Sequence, residues 1–306
     1  MTQYDLRRRP LVAALLKGAP DLIVVAGLGS AAWDITAGGD RDLNFPLWGA
    51  MGAKATSGAA DPWTHTFTLA NTQPYMTFWR MLGGGLFERF TDCKIARLNI
   101  HSEAGQPVKL TAEVLGLLPA SKSAAEVTAT VETTNTFMHA DGKALLIFEG
   151  SPVASLGTVD LNITTGVQIS QGDDVVGFQV VEGMQAIELQ VEQTISDFAT
   201  YNRMLYGSAT PADNASPSPN VVELSGAAIV DLKYAKRTSA GAVATPERSI
   251  QFTMSRLAMA NVEGLDPDPG GDPITQTVTY KVYQPAAGGS GLTAILKNAK
   301  STYVAS

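Results

Sequence analysis

Residues 108–114, VKLTAEV, decide the architecture. Val108, Leu110, Ala112 and Val114 alternate with Lys109, Thr111 and Glu113. A period of two places the first set on one face of a strand and the second on the other. One apolar and one polar face is the pattern of an antiparallel strand with a buried and a wetted side. AIELQVE repeats it, with Ile187, Leu189 and Val191 against Glu188, Gln190 and Glu192. In ITQTVTYKV, Ile274, Val278, Tyr280 and Val282 oppose Thr275, Thr277, Thr279 and Lys281. Ile250, Phe252 and Met254 alternate with Gln251, Thr253 and Ser255. Turn-forming runs separate these segments: EAGQP from Glu103, ADGK from Ala140, EGM at Glu182 and DPDPGGD from Asp266. The expected fold is mainly β, with one or two short helices.

Working outward, DFATYNRMLYG, Asp197 to Gly207, reads as a helix with Asp197 at its cap. TPADNASPSPN, 210–220, has no apolar period and reads as a mobile loop or arm. Residues 286–291, AAGGSG, form a flexible joint before LTAILKN. Toward the N-terminus, RRPLVAALLKG (8–18) predicts a short helix, with Pro10 in its first turn and Gly18 at its end. DLIVVAG follows as a strand of the doubly buried type, and up to Gly52 the chain reads helix, strand, loop and a second helix. The small, polar AKATSGAADP (53–62) reads as a boundary. The expected organisation is therefore an N-terminal segment, 1–52, and a β domain, 57–306. CKIARLNIHSEAGQPVKLTAEVLGL and the run from Val159 to Ile195 echo one another as strand, turn and strand. That echo suggests two β modules, 57–157 and 158–285.

Composition narrows the function. Of 306 residues 17% are charged, the net charge is −7, and residues 57–306 carry 16 basic against 24 acidic side chains. A protein that grips nucleic acid through phosphates needs the opposite balance. The single cysteine, Cys93, excludes an intramolecular disulfide and a thiolate metal cluster, and reads as a small buried apolar residue. Arg7, Arg8 and Arg9 precede an apolar run that Lys17 cuts short, so neither a signal peptide nor a membrane span is expected.

Little in the sequence points to catalysis. His65, His101 and His139 sit in strand-like surroundings without metal-ligand spacing, and each reads as a polar-face or satisfied core histidine. No G-x-S-x-G and no G-x-x-x-x-G-K-[ST] occurs. Asp266, Asp268 and Asp272 offer oxygen ligands for Ca²⁺, although the prolines and glycines among them make a tight surface turn the simpler reading. Gly83, Gly84 and Gly85 lie between apolar strand-like runs, which suits a hairpin better than a phosphate cradle. No cofactor or catalytic residue is expected.

Two resemblances bear on this reading. Residues 11–52, through GLGS (27–30), Trp33-Asp34, AGGDRDLNF (37–45) and LWGAMG (47–52), resemble the start of the diphosphate-binding domain of thiamine-diphosphate decarboxylases of the sulfopyruvate/phosphonopyruvate type. That family holds its cofactor's Mg²⁺ with G-D-G and a later Asn, and no G-D-G occurs here.

Residues 43–306 resemble the major tail (tail tube) proteins of long-tailed bacteriophages. The carriers are DPWTHTFTLANTQPYMTFWRML (61–82), DCKIARLNIHSEAGQPVKLTAEVLGL (92–117), DFATYNRMLYG (197–207) and the run from Arg248 to Gln284. The resemblance implies a β-sandwich or barrel-like subunit that closes into rings, usually sixfold, with rings stacking into a hollow tube. Three two-module subunits are the alternative ring. It implies copies of itself, the tape measure and tail terminators as partners. It also implies DNA passing through the lumen without specific binding, assembly in the host cytoplasm and a place in the virion, away from membranes. Glu113, Glu188 and Glu192, each opposite an apolar stripe, are the expected lumen-facing residues. The competing readings are a thiamine-dependent enzyme and a β-sandwich binding module.

Overall fold

The computed structural model describes residues 22–25, 30–38, 43–83, 86–116, 120–122, 136–142, 146–148, 151–152, 156–170, 179–194, 198, 202, 205–206, 208–217, 223–263 and 275–301. Each alternating segment contributes a strand over its described residues. One 16-stranded sheet has at its centre β6 (Leu86–Glu103), β7 (Lys109–Leu115), β11 (Leu156–Thr164), β14 (Ala186–Thr194) and β17 (Thr275–Val282), in the order β7-β6-β11-β14-β17. Every pairing is antiparallel. Both echo segments are hairpins, β6–β7 and β11–β14, and they adjoin through β6 and β11.

Beyond β17 comes β16 (Ser249–Glu263), which turns the sheet into a sandwich. Its C-terminal half pairs with β17, Leu257 to Glu263. Its N-terminal half pairs with β18 (Leu292–Asn298), which continues to β4 (Trp63–Leu69) and β3 (Gly52–Ser57). The other edge of β16 carries β15 (Glu223–Ala235), followed by the short β9 (Leu146–Phe148) and β10 (Ser151–Pro152). The inward residues of both layers form one cluster. Leu98, Leu110, Leu161 and Leu189 from the first layer share it with Phe67, Leu232, Phe252 and Leu296 from the second. Side chains pointing to one face of each layer are thereby removed from water together, the main favourable term in folding.

The helix α1 (Asn44–Met51) packs on β6 and β4. It is buried almost all round, so it has no polar face to present. Pro46 sits in its first turn, where a missing N–H costs nothing. Gly52 ends it at φ +93°, a conformation other residues rarely adopt, and Trp48 Nε1 donates to the Gly52 carbonyl at 3.1 Å.

Several expectations change. Ser30–Thr36, within the stretch resembling a diphosphate loop, is strand β2, paired along its length with β7 and on its other side with β1 (Leu22–Val25). Of DLIVVAG, the described residues Leu22–Val25 are strand, antiparallel to β2. Of the small polar run 53–62, Ala53–Ser57 belong to β3 and 58–62 are irregular. Small residues cost a strand little when a long apolar-in neighbour such as β4 supplies the packing. Gly83 pairs with Leu86, so β5 (Met76–Gly83) and β6 form a hairpin at the glycine run. Of 197–207, Asn202, Leu205 and Tyr206 are helical and Asn202 N–H donates to Phe198 O at 2.8 Å. Residues 208–217 are irregular and largely exposed. The helix expected at 8–18 and the Asp266–Asp272 turn lie outside the described residues. Among the described residues no helix is long and apolar enough to cross a membrane.

Candidate functional site: a polar sheet face and two ends

Cross-strand partners in an antiparallel sheet point to the same side. Register therefore places Glu113, Arg97, Thr164 and Ala186 in one row, and His101, Asp160, Gln190 and Thr279 in another. Glu188 lies between Asn162 and Lys281, and Glu192 between Thr158 and Thr277. All three predicted glutamates thus share one face, opposite the core. That face carries Glu103, Glu113, Asp160, Glu188 and Glu192 against Arg97, Lys109 and Lys281. It is polar and acidic in balance.

Side-chain hydrogen bonds bind the face across strands. Asn162 Oδ1 accepts from Arg97 Nη2 and Asn99 Nδ2, both at 2.9 Å. His101 Nδ1–H donates to Asp160 Oδ1 at 2.8 Å. Arg97 and Glu113 approach to 3.9 Å with both side chains about half exposed, a contact worth about 0–1 kcal/mol. The face is a fixed polar surface more than a source of stability.

The other histidines are structural. His65 is buried; its Nε2–H reaches Lys300 O at 2.8 Å and Asn298 Oδ1 at 3.2 Å, while Nδ1 meets the Thr56 hydroxyl at 2.9 Å. Burial keeps its pKa below the usual range, against those hydrogen bonds, which favour the charged form. His139 Nδ1 meets Ser102 Oγ at 2.8 Å, but Ser102 is wholly buried and cannot be offered to a substrate. Cys93 is buried as expected, and burial pushes its thiol up to about 12. Among the described residues no group of three His, Cys, Asp or Glu side chains is placed to hold a metal.

Two charge clusters escape sequence reasoning because their members are far apart in the chain. At one end of the second layer Glu247 bridges strands: its carboxylate accepts from Lys297 Nζ at 2.7 Å, Ser249 Oγ at 2.8 Å and Lys233 Nζ at 2.9 Å. At the other end the Glu182 carboxylate accepts from Lys94 Nζ and, at 2.8 Å, from the Gln73 N–H. Lys94 keeps only 4% of its side chain exposed, and its ammonium lies 4.1 Å from the Tyr75 ring centre. Inward-pointing Gln276, at a position where alternation expects an apolar residue, is buried without a hydrogen-bond partner among the described residues.

The Glu247 cluster carries an acid-stability prediction. Burial alone would raise this carboxyl, but the bonds from Lys297, Lys233 and Ser249 outweigh it and hold the pKa at about 2, below the ordinary 4.5. A depressed pKa contributes stability that is complete above the unfolded value and is lost as pH falls toward the folded one. Thermal melts of wild type and Glu247→Gln should therefore differ most above pH 4.5 and converge toward pH 2. A constant gap across that window would exclude this linkage.

A recess of about 210 Å³ opens beside the Glu182 end, among Ala70, Asn71, Gln185, Tyr283 and Ser290. Among the described residues its lining has no carboxylate, amine, imidazole or thiol to act on a substrate. What the molecule offers is surface: a broad polar face, strand edges and two contoured ends. It is a β-sandwich module. The chain belongs to the phage tail tube family, whose family model, described as phage tail tube protein, matches residues 19–282. No curated protein matches it. The match runs through residues 19–52, so the glycine-rich stretch that resembles a thiamine-diphosphate domain is part of the tail tube sequence. Neither the decarboxylase reading nor that of a binding module finds support.

Proposed function

We propose that this chain builds the hollow tube of a phage tail, closing into rings through its strand edges and stacking those rings around a lumen lined by the Glu113, Glu188 and Glu192 face. Family membership is the observation that carries the reading. Two features support it. Strands β1, β3, β5, β8 (Ala120–Lys122) and β10 each pair on one side only among the described residues, and open edges favour pairing with a second copy. A lumen that lets DNA slide should not hold it, and an acidic face repels phosphate. The tube works without catalysis or cofactor. It is assembled in the host cytoplasm against the tape measure and terminator proteins and is carried in the virion.

Negative-stain microscopy of the purified protein tests this. Hollow filaments of stacked rings are expected, and monomers at all concentrations would end the proposal. The same images count subunits: modules 57–157 and 158–285 acting as ring units predict threefold rings, and an undivided subunit predicts sixfold ones.

The lumen assignment has its own test. Reversing Glu113, Glu188 and Glu192 together to lysine should leave tube formation intact, because these side chains lie on the polar face. The altered tubes should retain DNA during sedimentation and release it as salt rises, since counterion release governs such binding. Retention equal to wild type would place these residues elsewhere.

A further inference from the structure

The two ends of the second layer differ in shape, and register shows that they are opposite. Ser249, Lys297 and Thr64 align at one end, and Met254, Leu292 and Thr68 lie toward the other. The 236–248 connection leaves from the first end. The 70–75 segment, with turn 181–185 fastened to it, lies at the second.

That turn is unusually fixed. Glu182 is held by Lys94 and by Gln73 N–H, and Gln185 Nε2 donates to Ala70 O at 3.1 Å. Gly166, at φ +70°, lies so close beneath that a Cβ there would sit 2.5 Å from Met184 O. Yet the turn presents Met184 91% exposed, beside Tyr75 at 58% and Val181 at 36%. A rigid turn holding a thioether in water loses little entropy when that group is covered. The adjoining 210 Å³ recess adds a concave, uncharged surface. The ion pair beneath the patch, Lys94 with Glu182, cancels internally. Arg256, stacked 6.0 Å from the Tyr283 ring centre, forms the far rim.

The opposite end projects a small hairpin. Thr238 N–H donates to Ala242 O at 2.8 Å, and Arg237 pins the loop through Gly241 O at 3.0 Å and Asp141 O at 3.2 Å. The tip, residues 238–244, reads TSAGAVA and holds no charge, and Val243 is 41% exposed.

Resting on the tail tube reading above, we propose that copies meet head to tail, with the 238–244 hairpin of one copy seated on the Met184 turn and its recess in the next. Moving a copy along its strand direction brings these ends together, and such a heterologous contact repeats without closing on itself, as ring stacking requires. The hairpin tip and the recess lining carry no charge, so the centre of the contact strips water from no unpaired ion.

Cross-linking tests the contact. In the double variant Met184→Cys, Val243→Cys, tubes under oxidising conditions should give a ladder of disulfide-linked multimers on a non-reducing gel, because a disulfide requires Cα atoms within about 7 Å. Native Cys93 is buried with a raised pKa and will not compete. Tubes without a ladder would overturn the contact and leave the tube itself standing, whereas wild type that forms no tubes removes the reading beneath it. In Met184→Glu, melting should match wild type while tube length falls at least tenfold, leaving rings. Tubes of full length in that variant would also overturn the contact.

Discussion

Phe252→Ala should lower the melting temperature by about 10 °C, the largest effect of any single truncation considered. Phe252 is fully buried in β16, between Leu232 of β15 and Ala294 of β18. It therefore sits on the strand that belongs to both layers. Emptying a close-packed site of this kind costs about 3–5 kcal/mol, from both lost burial and the cavity left behind. A domain holds only about 5–15 kcal/mol in all. At about 2–4 °C per kcal/mol for large domains, the shift follows. Thr66→Ala, an outward substitution on β4, is the control and should change stability by about 0.5 kcal/mol or less. Equal melting of the two variants would mean that β16 does not join the layers into one core.

Glu182→Ala should cost about 2–3 kcal/mol and release the 181–185 turn. Removing the carboxylate strands the Lys94 ammonium in a site where its side chain is 4% exposed. Breaking a buried pair is costly because the remaining charge has lost its water and its partner, and the 24% exposure of Glu182 puts the effect at the lower end. Burial would raise the Glu182 pKa, but Lys94 and the Gln73 N–H lower it on balance. The contribution is therefore full at neutral pH and lost on acidification. Replacing both partners, Lys94→Met with Glu182→Leu, should recover most of the loss, since neither charge is then buried. A double-mutant cycle measures this coupling, and simple additivity would sink the interpretation. Tube length should also fall in Glu182→Ala, because the Met184 turn loses its anchor.

Much of the β framework was legible in local pattern. Val108 to Val114, Ile187 to Val191 and Ile250 to Met254 are buried on the side that alternation predicts. The three glutamates were recognisable as outward for the same reason. Less was legible where residues are small. Ser30–Thr36 and Ala53–Ser57 carry weak periodicity, and they are strands because β7 and β4 offer them an edge. Glycines around the first of these resemble a cofactor loop; the missing G-D-G already argues against a cofactor, and the family match across residues 19–282 takes in the stretch.

Strand character in the body, the polar and apolar sides of those strands, the acidic balance and the family resemblance can all be read along the chain, because alternation and composition are properties of neighbouring residues. It takes the folded molecule to show that β16 serves both layers, that Lys94 meets Glu182 across 88 positions and that Glu247 meets Lys297 across 50. Those outcomes depend on which edges pair and where two layers close. Such contacts are made through burial and hydrogen bonding between segments that carry no mark of each other in the chain.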